Sequence, residues 1–230
     1  MEWYTYYGYK TNPFETDTIK THDELLNSDK ELAKLLYWVE SGNIILIKGP
    51  NASGKTRLAK EVLDKYKGKN KVALVRNNKE VDVEDLLSAG QSKLKKWFGG
   101  KPKNMIVILD NYSKIPVDMQ KRLQYNFDHN YIKSIVITTI SDITFIPSIK
   151  DRIGNRTLNL KPLTKKKQLE VVTKRLNNKR FFPVTLLEAI QRKSKTFDEF
   201  LKKAETAAKI AFKRKNKTVT KKAVDIAKVK

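Results

Sequence analysis

The chain has 230 residues, no cysteine, two histidines and a formal net charge of +23. This length suits one domain or a domain with a small companion, and the lack of cysteine excludes disulfides and thiolate metal sites. His22 and His129 stand far apart with no ligand pattern around them. No apolar stretch is long enough to cross a bilayer, and Met1–Tyr7 lacks a basic-then-apolar leader, so the reading is a cytoplasmic protein with no membrane association.

In chain order, Trp3 to Phe14 is dense in aromatics and closes in a turn at Asn12-Pro13. Residues 23–38 alternate leucines with charges at helical spacing, and Ser41-Gly42 stops that helix. Residues 43–48 form an apolar run expected of a buried parallel strand. It leads into Gly49-Pro50-Asn51-Ala52-Ser53-Gly54-Lys55-Thr56, which fits G-x-x-x-x-G-K-[ST], and then into a helix over 56–66. This is the order of a phosphate-binding loop. Its glycines let the backbone curl so that N–H groups face the phosphates, Lys55 reaches the outer phosphates and Thr56 offers its hydroxyl to Mg2+. The helix N-terminus, with Arg57 in its first turn, faces the same anion. Residues 49–57 are therefore the expected nucleotide-binding set. The aromatic opening is expected to pack against this nucleotide domain, with stacking on single-stranded bases as the alternative.

Further strands are expected at 71–76, 104–110, 134–139 and 157–160, with helices at 83–97 (closed by Gly99-Gly100) and 119–127 between them. Alternation of this kind implies a parallel, doubly wound α/β sheet of five strands flanked by helices. From Leu163 the pattern is wholly helical: 165–176, 184–192, 197–213 and 218–227. The expected division is a nucleotide-binding domain at 1–160 and a basic helical lid at 161–230, with the hinge at 159–162. Asp110 ends the third strand about fifty residues after the loop, where P-loop enzymes place the acid that holds the Mg2+ shell. The next residue, often a glutamate that deprotonates the attacking water, is Asn111. An asparagine can hydrogen-bond a water but cannot take its proton.

Charge is placed unevenly. Residues 150–230 hold 25 Lys and Arg against 7 Asp and Glu, a net +18, while residues 1–149 hold 23 against 18, a net +5. Such a surface attracts polyanions. Lys165, Lys166, Lys167, Lys174, Arg175, Lys179, Arg180, Lys213, Arg214 and Lys215 are the expected phosphate contacts, positioning nucleic acid without reading its sequence.

The loop at 49–56, the strand 105–110, the polar end Thr138-Thr139, the basic Arg152 and the helical C-terminal part together resemble the AAA+ ATPases. Three branches look similar. Tyr7-Gly8-Tyr9 to Asn12-Pro13-Phe14 is similar to ExeA/TniB-type ATPases. Gln120-Lys121-Arg122-Leu123 with Arg152 looks like clamp-loader subunits. The segment from Phe200 to Val224 resembles the lid of archaeal origin-recognition initiators, without their winged-helix domain. The resemblance implies ATP and Mg2+ as cofactors and a homo- or hetero-oligomer. It further implies γ-phosphate sensing by Thr139 or else Ser141, and an Arg152 that reaches a neighbouring subunit's nucleotide. It leaves Arg192, Lys195 or no residue for the lid contact to ATP. The expected function is an ATPase acting on or with DNA, as a replication accessory factor, helicase loader or transposition regulator. The alternative is an ATP-dependent switch or scaffold that binds a protein partner and barely hydrolyses. A small-molecule kinase ranks last, because about seventy helical residues follow the sheet.

Overall fold

The apolar runs that cannot leave either face to water become strands β1 (Ile44–Lys48), β2 (Val72–Arg76), β3 (Met105–Asp110) and β4 (Ile132–Thr139), and the short β5 (Thr157–Asn159) joins them with Leu158 buried. They form one sheet in the order β2-β3-β4-β1-β5, and every pairing is parallel. The computed structural model describes residues 2–21, 29–67, 72–77, 79, 81–89, 103–177 and 181–229. His22, residues 23–28 of the helix expected at 23–38, Lys71, and the expected helix end and glycine stop at 90–100 lie outside the described residues.

Parallel pairing requires crossovers, and here they bury both faces of the sheet. Along β1, Ile44 and Leu46 enter one core with Val107, Leu109, Ile135 and Ile137. Ile45 and Ile47 enter the opposite core with Ile106, Ile108, Val136 and Leu158. Each such aliphatic side chain contributes about 1.5–3 kcal/mol when fully removed from water. Helix α2 (Asp29–Glu40) and helix α3 (Lys55–Tyr66) cover the second core through Leu35, Val39, Leu58 and Val62, while α4 (Val83–Ala89), α5 (Val117–Asp128) and α6 (Pro147–Ile153) cover the first. Ser134, fully buried in β4, is satisfied by donating to the Val39 carbonyl at 2.7 Å. The strand starts two residues earlier than its apolar pattern suggests, because the register shifts between Met105 and Ile106 and so admits Ile132 to the ladder. Helix α6 was not expected; seven residues give too little periodicity, although Pro147 at its first turn marks the start.

The chain divides into two compact units, one formed by Leu25–Pro162 and the other by the described residues of 1–24 together with those of 163–230. The second unit holds α1 (Trp3–Tyr6), α7 (Lys165–Arg175), α8 (Val184–Arg192), α9 (Phe197–Lys213) and α10 (Lys221–Val229). The aromatic opening, expected to pack against the nucleotide domain, packs within this helical unit instead. Trp3 stacks on Phe14 at 5.8 Å between ring centroids, Phe14 meets Phe182 edge-on and Tyr7 lies 3.8 Å from Phe181. The Tyr9 hydroxyl donates to the Leu176 carbonyl at 3.1 Å. Arg175 donates to the Glu15 carbonyl at 2.8 Å, and Asn12 to the Glu205 carboxylate at 3.0 Å. The cause is mutual burial: Phe181 and Phe182 are both buried and have these rings as neighbours.

Candidate functional site

Because all five strands run the same way, the loops after them gather at one edge of the sheet, where ligands of open α/β sheets bind. β4 lies between β1 and β3, so the loop leaving β1 and the acid ending β3 meet across the end of β4. The loop is held by conformations that few residues adopt. Gly54 caps α3 at φ 92°, and Ala52 sits at φ 58°. Gly49 is required by proximity: a Cβ there would lie 2.7 Å from the Leu160 carbonyl oxygen and 2.6 Å from Ser53 Oγ. Gly49→Ala is expected to destabilise the sheet unit by about 2 kcal/mol, because a backbone carbonyl cannot yield as a side chain can. Urea unfolding at two denaturant probes checks it, and an unchanged midpoint would show that the loop relaxes.

Lys55 is 7% exposed. Its ammonium donates to the carbonyls of Gly49 and Pro50, each at 2.7 Å. Burial pushes its pKa down, and the nearby Asp110 carboxylate partly opposes that shift. Asp110 is fully buried. Its Oδ1 accepts from Thr56 at 3.0 Å and from Thr138 at 2.7 Å, and its Oδ2 accepts from Arg76 Nε at 3.3 Å. A carboxylate removed from water needs such donors and a counter-charge. Arg76 and Thr138 are the members that sequence reasoning missed. Arg76 reads as a strand end, yet β2 and β3 place it directly opposite Asp110. Thr138 stands one position before the residue singled out.

The other expected residues are placed as follows. Thr139 donates to the Ser141 carbonyl at 2.7 Å and accepts from the Ser141 N–H at 3.3 Å, so these two close a local turn rather than joining Asp110. Asn111 sits at φ 60°, donates its backbone N–H to Thr138 Oγ1 at 2.8 Å and its side-chain amide to Asn77 Oδ1 at 2.9 Å. Arg57 pairs with Glu61 one turn on. Ser53 Oγ, and Nε and Nη1 of Arg57, are buried with no hydrogen-bond partner among the described residues; Pro50 and Asn51 complete the loop. Arg152 is held within its own unit: its guanidinium donates to both oxygens of Asp128 at 2.8 and 3.0 Å and to the Ser148 carbonyl at 3.1 Å.

In the helical unit the expected phosphate contacts fall into two groups. Lys174 pairs with Glu170 at 3.6 Å, and Arg175 is tied to the carbonyls of Pro13 and Glu15. Lys165 and Lys166 are exposed and Lys167 half-buried in the first turn of α7, while Lys213, Arg214 and Lys215 are exposed at the end of α9. Lys179 and Arg180 lie outside the described residues. The lid candidates Arg192 and Lys195 are both exposed, and Arg192 pairs with Glu188.

The fold recurs in solved structures. A Cdc6p from Pyrobaculum aerophilum is similar with a TM-score of 0.68 at 13% identity, covering 94% of this chain and 69% of that one. The others are Drosophila ORC bound to DNA (0.61, 17%, 94% and 63%) and domain III of Thermotoga maritima DnaA (0.65, 14%, 93% and 96%). The chain has the AAA+ P-loop fold. No protein-family model matches the sequence, and no curated protein matches it. The chain spans less than two thirds of the length of the Drosophila chain. Within the AAA+ fold, the loop at 49–56 and Asp110 occupy the edge where strands β1, β3 and β4 end.

The residues present fit a nucleotide with Mg2+. Thr56 and Asp110 supply a hydroxyl and a carboxylate oxygen 3.0 Å apart, the hard donors that Mg2+ takes alongside phosphate oxygens and water. The orphaned Ser53 hydroxyl, the Lys55 ammonium and the N-terminus of α3 supply donors for phosphate. Among the described residues, no cluster of three or more His, Cys, Asp or Glu offers a separate metal site.

Proposed function

We propose that the chain binds ATP and Mg2+ at residues 49–57 and Asp110 and works with DNA as an AAA+ ATPase of slow turnover. The observation that carries this reading is the shared hydrogen bond of Thr56, Thr138 and Asp110 beneath the loop that holds Lys55. Mg2+, when bound, would draw charge from the phosphates while held by Thr56 and Asp110. Lys55 would move from the Gly49 and Pro50 carbonyls to the outer phosphates, and Thr138 fixes the Asp110 rotamer. DNA is supported by the net charge of residues 150–230 and by similarity to a structure described as ORC bound to DNA. Assembly with further subunits fits this reading, and a role for Arg152 toward a neighbour's nucleotide requires its ion pair with Asp128 to open.

The test is ATP turnover by the purified chain, with and without duplex DNA. Turnover stimulated by DNA supports a working DNA-coupled ATPase. Bound ATP without turnover in either condition favours the second reading, a nucleotide-dependent protein-binding switch, for which Asn111 is the specific observation. Asn111→Glu is expected to raise turnover about ten-fold or more, since a general base contributes 10²–10⁴-fold and the left-handed backbone at this position costs a glutamate about 1 kcal/mol. Asn111→Asp, which tolerates that backbone better, is the companion variant. Turnover unmoved by both would remove Asn111 as the reason for slowness.

A further inference from the structure

The cations of the helical unit divide by whether an acid answers them. Lys174, Arg192, Lys203 and Lys209 each pair with a glutamate one turn earlier on the same helix. Lys213, Arg214, Lys215 and Lys217 follow in a segment that has no acid from 206 to 224. All four are exposed, and none forms an ion pair with another described residue. The helix dipole accounts for a preference for cations at the end of α9, but not for Lys217 beyond it. Nor does it account for Lys215 at φ 55°. That residue closes the helix in the left-handed position, donating its N–H to the Phe212 carbonyl at 2.9 Å while Asn216 donates to Ala211 at 3.0 Å. Glycine or asparagine is the usual occupant there, so a lysine is kept at a conformational cost.

An exposed aromatic packs against Phe212, which precedes this segment. Tyr6 is 44% exposed, and edge-on packing against Phe212 at 5.3 Å and Tyr7 at 4.9 Å fixes its ring plane. Tyr7 in turn donates its hydroxyl to the Asn216 carbonyl at 2.8 Å. The aromatic opening of the chain is thereby fastened to the basic segment. A ring immobilised beside unpaired cations is the combination that binds unpaired bases and their phosphates.

We infer that Tyr6 and the segment Lys213–Lys217 form a binding surface for single-stranded nucleic acid. A base stacks on the Tyr6 ring, while Lys213, Arg214, Lys215 and Lys217 take the phosphates. The strand must be single because a paired base has no free face for a side chain. This rests on the DNA part of the reading above and moves its contacts away from Lys174 and Arg175, which the fold employs. Stacking explains why the exposed ring sits here, and counterion release explains why the neighbouring cations lack acids.

The experiment is fluorescence anisotropy with labelled oligo-dT, oligo-rU and a duplex, each about 20 nucleotides long, at several salt concentrations, using the full chain without nucleotide. Tyr6→Leu is expected to weaken binding to the single strands about ten-fold, within the range of one lost base stack, and to change duplex binding less than two-fold. Tyr6→Phe keeps the wild-type affinity. A combined Lys213→Gln, Arg214→Gln and Lys217→Gln variant lowers the single-strand salt slope by about 2. Lys215→Gly lowers it by about 0.7 while leaving the melting temperature unchanged or higher, which separates contact from folding. Binding of either the deoxy or the ribo strand with these losses supports the inference. Single-strand binding unchanged in Tyr6→Leu, or binding to duplex alone, overturns it. If no nucleic acid binds at all, the DNA part of the reading falls as well. If the oligonucleotide results hold but a fluorescent ATP analogue does not bind, only the nucleotide reading fails.

Discussion

Lys55→Ala is expected to lower the affinity for MgATP by about a hundred-fold while leaving the melting temperature of the ligand-free chain nearly unchanged. Lys55 is buried in the curl of its own loop and donates to two loop carbonyls. Those carbonyls lie in a loop beside exposed Pro50 and Asn51, so water replaces the lost donor at small cost. The phosphates have no such substitute. Two charge-assisted hydrogen bonds at about 1.5 kcal/mol each amount to roughly a hundred-fold in affinity. Burial already holds the ammonium pKa down, so the loop has removed much of its water before the ligand arrives. Titration of a fluorescent ATP analogue, repeated with Lys55→Arg, measures the effect. A change of less than three-fold would overturn the reading of residues 49–56 as the phosphate site.

Arg76→Gln is expected to lower the melting temperature of the ligand-free chain by about 4–8 °C, and to do so much less in the presence of MgATP. Asp110 has no exposure to solvent, and Arg76 is the cation in hydrogen-bond contact with it. Removing one partner of a buried pair costs about 3–5 kcal/mol. Arg76 is one-third exposed, and Thr56 and Thr138 continue to donate to the carboxylate, so about 2 kcal/mol is the reasonable figure, or 2–4 °C for each kcal/mol at this chain length. Mg2+ held beside Asp110, as proposed, would supply the missing positive charge, so the deficit is expected to shrink with ligand. Differential scanning fluorimetry with and without MgATP separates the cases. An equal loss in both conditions would mean that Arg76 supports the strand end and not the charge of Asp110.

These two side chains differ in how visible they are to sequence reasoning. Lys55 belongs to a motif whose eight positions act on one another locally: the turn, the helix start and the donor set are neighbours along the chain. Arg76 and Asp110 are 34 residues apart, and only the strand order and the register of β2 on β3 bring them together. Thr138 and Thr139 are adjacent and chemically alike, yet a strand sends consecutive side chains to opposite faces. Thr138 therefore meets Asp110, and Thr139 closes a turn with Ser141. Asn111 could be named as a departure from an acidic position, but not its amide contact with Asn77, which depends on two left-handed residues ending neighbouring strands.

By itself the sequence determined the five parallel strands: β1 to β4 are apolar runs too short for a helix and too apolar for an exposed face, and β5 is a short edge strand carrying one buried leucine, Leu158. It also determined the glycine-rich loop at 49–56, the acid at the end of β3 and the helical character of the described residues of 163–230, since these are written in spacing and local capping. Tertiary structure alone decided that the aromatic opening folds with Phe181 and Phe182, more than 160 residues away, and that Arg152 is held by Asp128. It also sorted lysines paired along a helix from those left to solvent. In each instance the deciding energy lies in contacts between distant segments, desolvated together only once the chain has folded.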